Sequence, residues 1–332
     1  MKKFRTLLLD KKNIKALLKM EEAVSAVEEV FREHGLNKTQ MPPKIYLNLE
    51  KYHGDFRAMP AYAQKIDKCV LKWVNVHPNN KKFGLPTVMA VIILSEPKNG
   101  FPLCIMNGTV ITSLRTGAAG AVAAKYLARK DSKVVAMVGC GEQAKTQLEG
   151  LRLLFDIREI KLWSNDSYSG RDFMQKMKTG KEKMAVYKSV KDCVSASDIV
   201  VTTTPSRKPI VRYEWLKNGC HINAIGADSK GKEELSPLIL KKSKVVVDSF
   251  AQAHHSGEIN VPLSRGVITR KNIYAELGEI ICGKIKGRVN NSEITVFDST
   301  GLAIQDLAVA SLAYRLALRK KAGISFDFLG LK

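Results

Sequence analysis

The segment that begins at Lys133 constrains the fold of this chain more than any other. Residues 133–138 are almost continuously apolar, which is typical of a strand covered on both faces. The next six residues, Gly139-Cys-Gly-Glu-Gln-Ala144, fit G-x-G-x-x-A, and residues 146–155 place leucines at helical spacing. The first glycine makes a tight turn, the second lets the backbone approach a pyrophosphate, and the small sixth residue allows close helix-strand packing. Strand, turn and helix together predict a dinucleotide site, against the alternative of a purely structural turn.

Strands and helices continue to alternate after this segment. Further strands are predicted at 159–163, 198–203, 220–226, 244–247 and 294–297. This alternation predicts a Rossmann-type parallel sheet. The residues up to about 115 instead mix short elements, with an amphipathic helix at 21–33 and strands at 70–74 and 87–94.

A long helix is predicted from about Leu302 to Lys320, capped by Ser299 and Thr300. It is longer than a domain-closing helix needs to be, so we expect it to return to the first domain. The predicted fold is α/β. A Rossmann-type dinucleotide-binding domain, residues 118–305, is inserted into a discontinuous α+β domain for substrate binding and dimerisation, residues 1–117 with 306–332.

The net charge of +22 raises the question of a polyanionic partner. The lysines, however, are spread as singles and as pairs such as Lys81-Lys82, with no long basic run and no aromatic-interleaved stripe. This distribution favours a solvated lysine-rich surface, so we predict no nucleic-acid partner. The excess charge also raises the local concentration of anionic cofactors and carboxylate substrates.

Membrane, export and metal functions find little support in the sequence. No apolar stretch approaches the roughly 20 residues of a membrane helix, and only three leucines follow the basic Met1–Arg5 before Asp10. We expect no membrane segment and a cytoplasmic location. The six cysteines form no C-x-x-C pair, which predicts buried reduced thiols, and the His254-His255 pair lacks a third ligand. No metal is predicted.

Five motifs occur in order and resemble one known family. They are Leu71-Lys-Trp-Val-Asn-Val-His-Pro78, Leu114-Arg-Thr-Gly-Ala-Ala119, Gly139-Cys-Gly-Glu-Gln143, His221-Ile-Asn-Ala-Ile-Gly-Ala-Asp228 and Phe297-Asp-Ser-Thr-Gly301. From about Pro42 to Asp306 the chain resembles the ornithine cyclodeaminase and mu-crystallin family. Met41–Leu47 and Gly54–Pro60 look most like its archaeal-type alanine dehydrogenases.

The resemblance implies an NAD(P)-dependent oxidoreductase that interconverts an L-amino acid and its imine or 2-oxo acid, foremost L-alanine and pyruvate. It also implies a homodimer formed through the N-terminal domain. Ornithine or lysine cyclodeaminase is the alternative activity. A ketimine reductase or a mu-crystallin-like NADPH-binding protein is a further one.

Lys72 and Arg115 take catalytic and substrate-binding roles from this resemblance. Lys72 matches the lysine that polarises the reacting carbon and carries a proton. Its apolar strand, with Leu71, Trp73 and Val74 beside it, is expected to desolvate the amine, so that burial and neighbouring cations lower its pKa from about 10.4. Without the resemblance, a surface lysine is the default reading. Arg115, expected at the start of a helix over 116–127, matches the arginine that meets the substrate carboxylate and lies near the cofactor phosphates.

Lys44 and Asp228 complete the implied substrate site. Lys44 falls where many relatives carry a second carboxylate-binding arginine, and a lysine keeps the charge but loses the planar fork. Asp228 matches an aspartate beyond a strand end that accepts a proton from the substrate amine or holds its ammonium group. The alternative for Asp228 is a helix cap.

The remaining implied residues line the dinucleotide. They are Thr87, Gly139, Gly141, Glu142, Gln143, Ser164, Thr204, Ile225, Gly226, Ala227, Lys232 and Ser299, together with Arg115. Ser164 stands where an NAD-specific site usually carries an acid against the ribose 2′-hydroxyl. Asp166 keeps an acid nearby, whereas the neutral Ser164 and Asn165, with Arg171 close in sequence, tolerate a 2′-phosphate. The sequence therefore predicts NAD or NADP and leaves the preference open.

Overall fold

The computed structural model describes residues 4–330 except the side chain of Ser167; Met1–Lys3, from the basic N-terminus, and Leu331–Lys332 lie outside the described residues. The strands are β1 (Thr6–Leu9), β2 (Thr39–Gln40), β3 (Ile45–Leu49), β4 (Gly54–Ala63), β5 (Lys68–Val76), β6 (Val88–Ser95), β7 (Pro102–Asn107), β8 (Val134–Val138), β9 (Glu159–Trp163), β10 (Lys183–Val186), β11 (Ile199–Thr202), β12 (Arg207–Val211), β13 (His221–Ala224), β14 (Glu233–Leu235), β15 (Lys244–Val247), β16 (Ile273–Glu276), β17 (Thr295–Asp298) and β18 (Ile324–Phe326). The α-helices are α1 (Lys11–Leu17), α2 (Met20–Gly35), α3 (Gly108–Leu127), α4 (Glu142–Arg152), α5 (Ser167–Met177), α6 (Val190–Val194), α7 (Pro237–Lys242), α8 (Phe250–Ser256), α9 (Asn260–Ser264), α10 (Leu277–Ile281) and α11 (Ala303–Lys320).

The first of two compact units comprises the described residues 4–115 and 302–330. Its eight-stranded sheet has the order β18-β1-β7-β6-β5-β4-β2, with β3 also paired to β4. The pair β1 and β7 is parallel, and the other pairs are antiparallel. Helix α11 packs against β4, β5 and β6 and against α2. Most of α11 is buried, so it forms much of the core of this unit.

The second unit, residues 116–301, contains an eight-stranded sheet in the order β10-β9-β8-β11-β13-β17-β15-β16. Every neighbouring pair is parallel. The strands that follow β8 in sequence lie first on one side of it (β9, β10) and then on the other (β11, β13). Such a switch of direction opens a crevice at the carboxyl ends of the two strands, here β8 and β11, where α/β proteins bind ligands. The Rossmann-type sheet predicted from the sequence is confirmed.

Two helices begin earlier than predicted. Helix α3 begins at Gly108, eight residues before Thr116, because the side chain of Asn107 accepts a hydrogen bond from the Val110 amide (3.3 Å) and caps the helix. Helix α4 begins at Glu142, directly after the glycine turn, and it ends at Arg152. The boundary between the two units lies within α3.

The predicted cap of the last helix is wrong. Thr300 donates its amide and hydroxyl to the buried Asp248 (2.6 Å and 3.0 Å) and so takes no part in α11. The helix is preceded instead by Leu302, whose amide donates to the side chain of Gln305 (3.3 Å). A glutamine in the first turn therefore supplies the capping contact.

Two compositional predictions can be compared with the structure. The six cysteines are free thiols; Cys104, Cys193 and Cys220 are buried, and the other three are partly exposed. Burial of every cysteine, as expected, is therefore wrong. Within residues 4–330, no helix is both long and apolar enough to cross a membrane.

Candidate active site

Lys72 is buried in the middle of β5, with 1% of its side chain exposed. Side chains alternate along the strand, so Val70, Lys72 and Val74 face the core. Leu71 and Trp73 point to the opposite face and are 39% and 42% exposed. The predicted burial of Lys72 is confirmed, but Leu71 and Trp73 do not supply it. The desolvation comes from the core face of the sheet, which α11 covers.

Asp306, in the first turn of α11, is the counter-ion of this lysine. One carboxylate oxygen, Oδ2, accepts a hydrogen bond from Nζ of Lys72 (2.6 Å), and Oδ1 accepts one from Nε of Arg115 (3.1 Å). Asp306 is fully buried. Sequence reasoning missed this residue, although an aspartate inside an apolar helix could have revealed it, because buried carboxylates are paired.

Burial and charge together set the proton affinity of Lys72. The pKa of Lys72 falls from 10.5 to about 7, and burial is the largest cause. Asp306 raises it by attraction and by its hydrogen bond, whereas the positive charges of Arg115 and Lys44 lower it. At neutral pH the amine and ammonium forms are therefore both populated, which suits a group that both donates and accepts protons.

Arg115 lies in the interior of α3 rather than at its start, where the sequence analysis placed it. Its Nη1 donates to Oε1 of Gln305 (2.9 Å), and its Nε donates to Asp306. Two of the five N–H groups of the guanidinium are thus used, and among the described residues the other three have no recorded acceptor. Gln305, also missed in the sequence, is fully buried and its Nε2 has no partner in the described chain.

Lys44 and Thr87 differ in their relation to this cluster. The register from β3 through β4 to β5 pairs Ile45 with Ala58 and Ala58 with Trp73, so Lys44 lies nearly level with Lys72. Its charge accordingly acts on the pKa of Lys72. Thr87 lies beyond the far end of β5, where its carbonyl accepts a hydrogen bond from the His77 amide (2.8 Å). The structure does not bring Thr87 to Lys72.

Most of the other predicted residues follow the carboxyl ends of parallel strands in the second unit. Since the strands are parallel, these ends share one edge of the sheet. Gly139, Gly141, Glu142 and Gln143 follow β8, Ser164 follows β9, Thr204 follows β11, Ile225, Gly226 and Ala227 follow β13, and Ser299 follows β17. Lys232 directly precedes β14.

The glycine turn fits a dinucleotide. Gly139 has φ +104°, and a Cβ there would lie 2.7 Å from Oγ1 of Thr203, so the turn requires glycine. A Cβ at Gly141 would meet nothing within 4 Å, which leaves its backbone open to a ligand at the start of α4. Oε1 of Gln143 and Oγ of Ser299 are buried and lack a partner in the described chain. A bound polar ligand would satisfy such atoms.

Asp166 is not a free acid beside the turn. It caps α5, accepting hydrogen bonds from the amide (2.7 Å) and hydroxyl (2.8 Å) of Ser169, which lower the pKa of its carboxyl. Ser164 donates its hydroxyl to the Asp166 carbonyl. Glu142 extends into solvent and pairs with Lys145 (2.9 Å).

Asp228 lies in the loop after β13, and its Oδ1 is 2.5 Å from Nζ of Lys232. No helix begins there, so the helix-cap alternative is wrong. The side chain of Asp228 is 35% exposed, which leaves it accessible to a small molecule. Among residues 4–330, no group of three or more His, Cys, Asp or Glu side chains is arranged to hold a metal ion.

Comparison with known proteins gives consistent matches over nearly the whole chain. The alanine dehydrogenase of Archaeoglobus fulgidus is 52% identical over 325 residues, which are 97% of this chain and 98% of that protein. A solved archaeal alanine dehydrogenase dimer with bound NAD shares 51% identity with a TM-score of 0.94, covering 98% of this chain and 100% of that one. The Δ1-pyrroline-2-carboxylate reductase of Thermococcus litoralis, solved with NADH and L-proline, shares 39% identity with a TM-score of 0.93, covering 96% and 99%.

These likenesses confirm the fold class predicted from the sequence. Residues 5–321 match the model of the ornithine cyclodeaminase/mu-crystallin family. The five ordered motifs had pointed to the same family, and relatives above 30% identity cover nearly the entire chain. This chain is a member of the ornithine cyclodeaminase/mu-crystallin family.

Proposed function

We propose that this chain is an NAD(P)-dependent oxidoreductase that interconverts an L-amino acid and its imine or 2-oxo acid, with L-alanine and pyruvate as its principal pair. The observation that carries the proposal is the buried Lys72, whose pKa falls to about 7 beside Asp306 and Arg115. The likeness to archaeal alanine dehydrogenase, at 51–52% identity in sequence and in structure comparisons, supports the choice of substrate. We assign substrate binding to the first unit and dinucleotide binding to the second.

Arg115 anchors the substrate carboxylate in this proposal. Asp306 and Gln305 fix the guanidinium through Nε and Nη1, and three N–H groups stay available for a planar carboxylate. Lys44, the residue directly before β3, adds a second positive charge. Asp306 is shared by Lys72 and Arg115, so the cluster carries a net positive charge that favours an anionic substrate whenever Lys72 is protonated.

Lys72 carries the proton. In the oxidative direction its neutral amine accepts the proton that water loses as it adds to the imine, and in the reductive direction its ammonium form returns that proton. Asp306 orients Nζ through the 2.6 Å hydrogen bond. For Asp228, the resemblance to the family implies the role of holding the substrate amine or accepting its proton.

The second unit supplies the dinucleotide site. When bound, a nicotinamide dinucleotide provides the acceptor for the hydride that leaves Cα. The backbone of Gly141 and the first turn of α4 receive the pyrophosphate, and Gln143 and Ser299 offer their unpartnered polar atoms. Because the carboxylate of Asp166 is committed to Ser169, the position after β9 accommodates NAD or NADP.

The sheet of the first unit has an apolar face that suits a homodimer. Ile45, Trp73 and Val91 lie on one face at the same register level across β3 to β6, and they are 65%, 42% and 48% exposed. An exposed apolar patch of this kind is typical of a protein interface. The archaeal alanine dehydrogenase that this chain resembles is a dimer, which supports a second copy of this chain as the partner on this face.

The six free thiols support a cytoplasmic location.

The proposed function is tested by a screen of cofactor reduction across L-amino acids, run at alkaline pH with NAD⁺ and NADP⁺ in parallel. We expect absorbance of the reduced cofactor with L-alanine, and equimolar pyruvate and ammonia. No reduction with L-alanine would overturn the assignment of substrate.

A second candidate is the reduction of a cyclic imine. It is favoured by the likeness at 39% identity to a Δ1-pyrroline-2-carboxylate reductase solved with NADH and L-proline. Oxidation of reduced cofactor with Δ1-pyrroline-2-carboxylate, faster than with pyruvate and ammonia, would support it. The cyclodeaminase alternative predicts proline and ammonia from ornithine without net cofactor reduction, and absence of proline would remove it.

A further inference from the structure

Glu234, in β14, has a fully buried carboxylate that accepts four hydrogen bonds. Its Oε1 accepts from the amide (2.6 Å) and the hydroxyl (2.7 Å) of Thr204. Its Oε2 accepts from the hydroxyl of Thr202 (2.6 Å) and from the amide of Gly226 (2.9 Å). Each oxygen of the Glu234 carboxylate thus accepts two hydrogen bonds, which hold the carboxylate in one orientation.

These donors belong to the last residue of β11 and to the loops that follow β11 and β13. Strands β11 and β13 are paired in parallel, and Thr204 and Gly226 lie two residues beyond their respective ends. Glu234 thus joins two adjacent loops at the carboxyl edge of the sheet. Thr203, in the first loop, donates its hydroxyl to the carbonyl of Gly139 (3.2 Å), which connects the same structure to the glycine turn.

The glycine at 226 is explained by this carboxylate. A Cβ on Gly226 would lie 2.2 Å from the Thr204 carbonyl oxygen and 2.6 Å from Oε2 of Glu234. No other residue fits without moving the loop. Gly226 therefore differs from Gly141, whose missing side chain leaves space open to a ligand.

A second buried carboxylate, that of Glu258, accepts hydrogen bonds from the backbone of β14. Its Oε1 accepts from the amides of Glu234 (2.8 Å) and Leu235 (2.6 Å). Burial, and then repulsion from Glu234 and Asp298, raise the pKa of Glu258. Burial raises the pKa of Glu234 as well, while its hydrogen bonds from Thr202, Thr204 and Gly226 act in the opposite direction and favour the charged form.

We propose that Glu234 is a positioning residue for dinucleotide binding: its carboxylate fixes the loops of Thr204 and Gly226 in the arrangement that receives the cofactor. The proposal rests on the proposed function, because it takes those loops to line the dinucleotide. Preorganised loops lower the ordering cost of binding, so loss of the bridge weakens cofactor affinity.

The test replaces Glu234 with glutamine, which keeps the size of the side chain. An amide offers one acceptor oxygen and one NH₂ group, so one pair of the four donors loses its acceptor and one loop is released. We expect the Kd for NAD⁺, measured by calorimetry without substrate, to rise about tenfold or more. The KM for NAD⁺ should rise in parallel, while kcat and the KM for L-alanine stay within twofold.

Glu233→Gln is the matched control. Glu233 is the adjacent residue and is also buried, but its carboxylate faces Arg265 (3.7 Å) and makes no recorded contact with either loop. This variant should bind NAD⁺ like the wild type. If Glu234→Gln does not fold, Thr202→Val removes one donor from beneath the loops, and we expect a rise in Kd of about threefold.

The possible results separate the two proposals. If the wild type binds NAD⁺ and the folded Glu234→Gln variant binds it within twofold, or if Thr202→Val has no effect when it must be used instead, the positioning role is overturned. An equal loss in Glu233→Gln would also overturn it. If the wild type binds neither NAD⁺ nor NADP⁺, the proposed function itself fails, and the positioning role with it.

Discussion

Two buried carboxylates of this chain are stabilised in different ways. In the first unit, Asp306 is held by two cations, Lys72 and Arg115. In the second unit, Glu234 is held by neutral hydroxyl and amide donors, with no cation recorded on it in the described chain. Cations beside a carboxylate have pKa values that respond to their neighbours, whereas hydroxyls and amides fix geometry without exchanging a proton near neutral pH. The first arrangement suits proton transfer, and the second suits the support of loops.

Removal of the proton carrier should give the largest effect. Lys72→Met is expected to lower kcat for alanine oxidation by about 10³-fold, since general acid-base catalysis contributes 10²–10⁴-fold. The Kd for NAD⁺ should stay within twofold, because the dinucleotide is assigned to the other unit. Steady-state kinetics and calorimetry measure the two quantities.

Lys68→Met is the matched control for this prediction. Lys68 lies in the same strand, but it is partly exposed and pairs with Glu96 (3.3 Å). Its replacement should leave kcat within twofold. A Lys72→Met enzyme that keeps more than a tenth of wild-type kcat would contradict the comparison.

Removal of the shared counter-ion tests the first arrangement through stability and pH. Asp306→Asn leaves two buried cations without a carboxylate, which should cost about 3–5 kcal/mol of unfolding free energy. Because Asp306 raises the pKa of Lys72, its loss lowers that pKa further, and the rise in the oxidation rate near pH 7 should move to lower pH. Denaturant unfolding and the pH dependence of kcat measure these effects. An unchanged pH dependence of kcat would show that Asp306 does not influence the pKa of Lys72.

Substitution of the two glycines of the turn separates an effect on stability from an effect on dinucleotide binding in the second unit. Gly141→Ala places a Cβ in open space at an ordinary φ of −87°, so stability should change by less than about 0.5 kcal/mol while the Kd for NAD⁺ rises about tenfold. Gly139→Ala should destabilise the protein instead, by about 1–3 kcal/mol, because φ is +104° and the added Cβ would clash with Oγ1 of Thr203. Thermal unfolding with and without NAD⁺ tests both. A Gly141→Ala variant of unchanged affinity would place the pyrophosphate elsewhere.

An exposed carboxylate should give the smallest effect. Asp166→Ala removes the cap of α5 and should cost about 1 kcal/mol of stability. Affinity for NAD⁺ should stay within twofold, since the carboxylate is already bonded to Ser169. A tenfold loss of NAD⁺ affinity with NADP⁺ affinity unchanged would show that Asp166 binds the ribose.

Sequence proximity explains what could be predicted. The dinucleotide turn is local: strand, glycines and helix follow one another within about 20 residues, so their pattern is visible in the chain. Lys72 and Arg115 were identified through resemblance, because no local pattern distinguishes a buried strand lysine from an exposed one. The argument from Leu71 and Trp73 failed since neighbours in a strand occupy opposite faces.

The sequence analysis missed the carboxylates of Asp306 and Glu234 for a related reason. Asp306 lies 234 residues from Lys72 in sequence, and only folding brings the pair together. Glu234 follows Lys232 and Glu233 in a charged stretch that is typical of a solvated surface, yet its carboxylate is fully buried. Long-range partners that satisfy a buried charge cannot be read from spacing.

The central claim is that Lys72 titrates near neutral pH, and NMR tests it most directly. Lysine labelled with ¹³C at Cε would be followed through a pH titration of the free protein, with Lys72→Met used to assign the resonance of Lys72. The account predicts one lysine with a midpoint near pH 7 that is absent from the variant. If every lysine titrates above about pH 9, close to the ordinary value for lysine, the role of Lys72 as proton carrier is contradicted.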